Sequence, residues 1–272
     1  MGELRKRWDI PVLAVLILLA VFAERAEMFS VLEDQTIGFR HVARISGDGV
    51  AFPEEVITFV NQDEGFFEDY GSWPLRREDL ARAARNMHTL GARVVVIDNL
   101  FDFPSSYGED DPAAALLADA GMPLVVSQGQ VENGRMVGIN YAVEPIRSVT
   151  RSGYTNIESA SSLVENMSRL RLFPEAAEFE DGWPFSVQAV ALYLDETPRF
   201  EDGVLHFGDA LSVPFTDREQ LHLDFPSFWA GVKSYAAEYG ISVLDLLDID
   251  SLSDEEREEL SFWMDGKIVL FG

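Results

Sequence analysis

Asp63, Glu64 and Asp98 are the carboxylates whose placement first suggests chemistry. Asp63 and Glu64 follow a β-branched run, Val56–Asn61, and Asp98 closes a second one, Ala92–Asp98. Ligands of open parallel sheets collect beyond the carboxyl ends of the strands. Three carboxylates there could hold a hard cation through oxygen or work as an acid–base pair. They could equally cap turns and helices, which Asp and Glu commonly do. Trp73-Pro-Leu-Arg-Arg77 is the most distinctive short stretch. Arg77 could take an anion, or pair with a neighbouring acid while Trp73 plugs the end of the sheet. A cation between the acids, or Arg77 as their counter-charge, would relieve their mutual repulsion.

Other chemistries leave no trace. The chain has no cysteine, which removes disulfides, thiolate nucleophiles and zinc fingers together. The histidines are His41, His88, His206 and His222, and no HExxH joins any of them. His88 falls on the outer face of a helix; His206 and His222 are expected in neighbouring strands, in packing roles. No GxSxG elbow and no GxxxxGK[ST] loop occurs. The acidic runs Glu109-Asp-Asp111 and Asp254–Glu259 read as solvated faces and lack the EF-hand pattern.

These residues must be positioned by elements that the hydrophobic pattern predicts. Val56–Asn61, Ala92–Asp98 and Leu124–Val126 are buried strands. Between them lie helices over Arg77–Leu90 and from Asp110 or Asp111, either of which could cap, to Ala120. Strand–helix alternation with short links predicts parallel pairing with right-handed crossovers. Residues 129–180 carry no clear pattern. Trp183–Leu194 reads as a helix, and Val204–Phe207 and Leu211–Val213 as a hairpin turning at Gly208-Asp209. Leu221–Phe225 alternates as a strand. Ser242–Leu247 and Asp254–Met264 are predicted helices, the second capped by Ser253 or Asp254, and Lys267–Phe271 is a last strand. The expected fold is a mixed α/β domain with a largely parallel central sheet and flanking helices.

The 272 residues contain 47 Asp and Glu against 21 Lys and Arg, a net charge of −26. Such a surface repels phosphate backbones, so no nucleic-acid partner is expected. Ile10–Ala23 is uncharged throughout and follows Arg5-Lys-Arg7. It lacks the polar face of a core helix and reads as a membrane segment, either a cleaved signal or an uncleaved anchor. Fourteen residues are short for a span, which takes about 20. The basic cluster would stay in the cytoplasm, leaving the remainder outside. The division is therefore 1–30, an N-terminal signal anchor or transmembrane helix, and 31–272, an extracytoplasmic domain; Glu24–Val50 reads as a helical extension and a polar loop.

The order of these motifs resembles the CHASE domain of type 2, a family of cyclase- and histidine-kinase-associated sensory extracellular domains. The resemblance rests on Val56–Glu64, then Gly71-Ser-Trp-Pro-Leu-Arg-Arg77, the helix to Leu90, and Gly91-Ala-Arg-Val-Val-Val-Ile-Asp-Asn-Leu-Phe101. It continues through Asp110–Gly121, Ser242-Val-Leu-Asp-Leu-Leu247 and the closing Gly266–Gly272. Two features depart from the family: Leu75-Arg76 stands where a second Trp-Pro is usual, and Glu165-Asn-Met-Ser-Arg169 replaces the mid-chain Asp-Gly-x-x-Arg. The resemblance implies a sensor and not a catalyst: a single-span protein of the cytoplasmic membrane with its main domain periplasmic or extracellular. It also implies further membrane helices and a cyclase, kinase or phosphodiesterase output beyond Gly272. On this reading Asp63, Glu64, Trp73, Arg77 and Asp98 are the ligand-binding candidates. The ligand is a small molecule or ion, no cofactor is expected unless a divalent cation sits among the acids, and a homodimer is an open arrangement. The rival readings are an exported metal-dependent hydrolase and an assembly protein with an exposed interaction domain.

Overall fold

The computed structural model describes residues 9–25, 36, 40, 55–71, 74–159, 168–215, 220–223 and 240–272. The first element is α1, Asp9–Arg25. Its side chains from Ile10 to Phe22 are exposed, Ile10 at 75% and Phe22 at 69%. Among the described residues no helix is long and apolar enough to cross a membrane. The expected membrane-spanning helix is corrected to that extent. Its 17 residues reach only about 25 Å at the α-helical rise, against about 30 Å of hydrocarbon.

The central sheet begins with β1, Ile57–Asn61, followed by α2, Glu64–Asp69, and α3, Arg77–Thr89. Then come β2, Val94–Leu100, α4, Asp110–Leu117, β3, Leu124–Glu132, and β4, Arg135–Asn140. The short helix α5, Glu144–Arg147, leads to β5, Arg151–Tyr154. A smaller region follows: β6, Ile157–Ser159; β7, Ser168–Arg171; a 3-10 turn, Pro174–Glu178; and α6, Phe185–Leu194. It continues with β8, Pro198–Glu201, β9, Val204–Phe207, β10, Leu211–Pro214, and β11, Gln220–Leu223. The chain then rejoins the main sheet through β12, Ile241–Ser242, α7, Val243–Leu247, α8, Asp254–Met264, and β13, Ile268–Phe271.

The main sheet runs β12-β1-β13-β2-β3-β4, and β5 pairs with β3. β1, β2, β3, β5, β12 and β13 are parallel, as the alternation predicts. The last strand inserts between β1 and β2, with Val60 opposite Phe271 and Phe271 opposite Ile97. The far edge of β3 is shared: Leu124–Ser127 pairs with β5, and Gln128–Glu132 with antiparallel β4.

Both faces of the sheet are covered, which is why its strands read as unbroken apolar runs. Val95, Ile97 and Val125 pack with α3, α4 and α7 on one face, while Val94, Val96 and Leu124 meet α6 on the other. A buried side chain of this size contributes about 1.5–3 kcal/mol. A separate small core, Leu170, Val187, Ala191, Leu205 and Phe207, holds the two three-stranded sheets, β10-β9-β8 and β11-β7-β6, to α6.

Several local expectations change. The hairpin joining β9 and β10 pairs Phe207 with Leu211, so its loop has three residues, 208–210, and not two. His206 and His222 lie in different sheets, on β9 and β11, and are not strand neighbours. Two tighter hairpins stand in stretches where no turn was assigned. Asn133 and Gly134 join β3 to β4, and Asp202 and Gly203 join β8 to β9, all four with φ between 51° and 77°. Positive φ at both central residues is the type I′ turn that Asn-Gly and Asp-Gly favour.

Candidate functional site

Arg77 opens α3 and is the centre of a clamp between two helix N-termini. Its guanidinium donates to Asp110 Oδ1 at 2.5 Å and to the Phe103 carbonyl at 2.8 Å. It lies over the rings of Phe101 and Phe103, at 5.4 and 5.3 Å. Arg76 donates from Nε to Glu109 Oε1 at 2.5 Å, and that bond holds its own pKa above the usual arginine value. Glu109 Oε2 accepts from the backbone N–H of Arg77 at 3.2 Å, so a residue 32 positions away caps α3. Asp110 also accepts the Ser105 N–H at 2.9 Å. Acids at helix N-termini gain from the helix dipole.

Two expectations are overturned here. Glu109-Asp-Asp111 is not a solvated face: Glu109 is only 3% exposed. Neither Asp110 nor Asp111 is the cap of α4; Glu109 occupies that position and makes no capping bond to its own helix.

The acidic candidates do not join the clamp. Asp63 N-caps α2, accepting the Phe66 N–H at 2.8 Å, and Glu64 opens that helix. Asp98 is exposed on β2. A Cβ added at Gly272, just past the end of β13, would stand 3.1 Å from the Asp98 Cβ. Trp73 lies outside the described residues, as do His41 and the loop up to Val50. Among the described residues no group of three His, Asp or Glu side chains could hold a metal ion. The structure thus places Arg77 with Asp110, and neither Asp63 nor Asp98 is among its partners. His88 is exposed on α3, as expected.

Two further features escaped the sequence. Asp181 is a buried hub: its carboxylate accepts from Arg151, from the Ser152 N–H at 2.9 Å and from Gln188 Nε2 at 3.0 Å. Gly182 beside it is obligatory, because a Cβ there would lie 1.8 Å from the Ala176 carbonyl oxygen. The Asp-Gly-Trp-Pro run at 181–184 carried that signal. The second feature is a cleft of about 420 Å³ between α7 and α8, bearing Asp245, Glu256 and Glu259. Desolvation, with Asp63 and Glu256 nearby, raises the Asp245 pKa. Glu256 goes the other way, lowered by the Ser253 capping bonds.

The geometry defines a mixed α/β domain whose conspicuous charges hold elements together, with no candidate metal cluster among the described residues. The family model described as CHASE2 domain matches residues 12–272, and the chain belongs to that family of extracellular sensory domains. No curated protein and no solved structure matches the chain.

Proposed function

We propose that the chain is the signal-input part of a bacterial-type membrane receptor, lying outside the cytoplasmic membrane and feeding a cyclase, kinase or phosphodiesterase output. The observation that carries this reading is the CHASE2 match over residues 12–272. The exposed apolar helix α1 supports attachment to the membrane, since side chains such as Ile10, Leu18 and Phe22 have no protein surface against them among the described residues. Arg5, Lys6 and Arg7 precede it, which favours a cytoplasmic N-terminus. The Arg76/Arg77 clamp then serves as a rigid tie between α3, α4 and the connection after β2, and any ligand acts elsewhere or through it. The test is topological. Alkaline phosphatase fused after Phe271 should be active and a cytoplasmic reporter at the same point silent; the reverse pattern would refute the reading.

A further inference from the structure

A second cleft, of about 440 Å³, lies between β8 and residues 172–183. That volume falls within the range of small-molecule sites. Tyr154, Phe173 and Trp183 line its floor, and the strand Pro198–Glu201 forms its side. Tyr154, 1% exposed, is spoken for at its tip, its hydroxyl donating to the Arg171 carbonyl at 3.1 Å, so the floor offers no free donor. Tyr154 and Phe173 meet edge to face at 5.8 Å and are buried, so of the three rings the partly buried Trp183 is the one with surface left for a ligand.

The strand side is polar and uncommitted. β8 is an edge strand, paired only with β9 among the described residues. Glu201 faces Val204 across the two-residue turn. In the antiparallel alternation that closing pair is hydrogen-bonded, so the N–H and C=O of Phe200 point away from β9, towards the cleft. Arg199 and Glu201 flank Phe200 and both line the cleft. Among the described residues neither forms an ion pair or a side-chain hydrogen bond.

We infer that this cleft binds a free α-amino acid with an aromatic side chain. The ring packs against Trp183, over the floor formed by Tyr154 and Phe173. The carboxylate meets Arg199 and the Phe200 N–H, and the ammonium meets Glu201 and the Phe200 carbonyl. A zwitterion matches two opposite charges two residues apart on one strand, where a simple anion would leave Glu201 repelling it.

The inference rests on the chain's being a sensory domain, yet its test does not depend on location. Calorimetric titration of the full 272-residue chain with L-phenylalanine should give saturable binding. Phenethylamine and 3-phenylpropionate, each lacking one charge, should bind at least tenfold more weakly. Arg199→Ala should weaken L-phenylalanine at least tenfold and leave phenethylamine unchanged; Glu201→Ala should do the same while sparing 3-phenylpropionate. Ala177→Phe, which fills the cleft from its rim, should abolish binding with the thermal midpoint intact. Absence of saturable binding of both L-phenylalanine and L-tryptophan at millimolar concentration would overturn the inference, as would equal affinity for the one-charge analogues or indifference to both charge variants. An external alkaline phosphatase with no amino-acid binding would leave the sensory reading standing and remove this one alone.

Discussion

Arg77 and Arg199 are the same residue type in opposite situations. Arg77 sits in a distinctive motif, yet its donors are taken by Asp110 and Phe103 and its faces by two rings. Arg199 sits on β8, with an aromatic cleft beside it and no ion pair among the described residues. A charge whose partners all come from the protein has little left for a ligand. Motif conspicuousness therefore tracks structural commitment here, and the arginine without an ion pair among the described residues lies where the motif is plain.

The largest effect belongs to the committed side. Asp181→Ala should destabilise by about 3 kcal/mol, because the buried Ser152 N–H and Gln188 lose their acceptor. Urea unfolding with an unchanged m-value checks this; a loss under about 1 kcal/mol would show that water replaces the carboxylate. Next, Arg77→Ala should cost about 2 kcal/mol, below the figure for a fully buried pair because the Asp110 carboxylate is 17% exposed. Lysine at 77 should recover part of this, since one ammonium cannot serve Asp110 and Phe103 with a planar fork. If Arg77→Ala left stability untouched and altered a ligand response, the two arginines would trade roles.

Tyr70 sharpens the clamp end of the comparison. Burial, then the bond to Asp79 at 2.5 Å, pushes its pKa up to about 12. A raised folded-state value means that this stability is complete below pH 10, the ordinary tyrosine value, and is lost as pH rises towards about 12. Tyr70→Phe should cost about 1 kcal/mol at neutral pH and flatten that alkaline loss, which denaturant titrations at pH 9 and 11.5 would resolve. For Asp245 the folded fold favours the protonated acid. Its contribution is present below the ordinary aspartate value and is lost as pH rises above it, so Asp245→Asn should raise the thermal midpoint at pH 7.5 and change nothing at pH 3. The smallest effect is on the uncommitted side: Arg199→Ala should stay within about 0.5 kcal/mol of the parent, as for surface positions outside a network.

Much of the frame was legible because it depends on local pattern. The apolar runs of β1, β2 and β3 and the periodicity of α3 predicted a parallel sheet, and Ser253 with Glu256 forms the capping box that starts α8. The Asn133-Gly134 and Asp202-Gly203 turns are also written in the sequence, since Asn-Gly and Asp-Gly are strong hairpin signals. With them, residues 129–180 would have yielded β3–β4, and β8–β9 would have stood beside β9–β10.

What the sequence determined by itself was therefore the alternating strands and helices of the main sheet, the acidic surface and the family. Each follows from near neighbours in the chain or from composition. Tertiary structure decided the rest. The place of β13 between β1 and β2 is a choice among edges that pattern cannot make. Glu109 reads as part of an acidic run, and only the approach of α3 buries it against Arg76 and Arg77. Partners more than 30 residues apart are selected by packing, and the side chains left without partners among the described residues, Arg199 and Glu201, are identified only after that selection is complete.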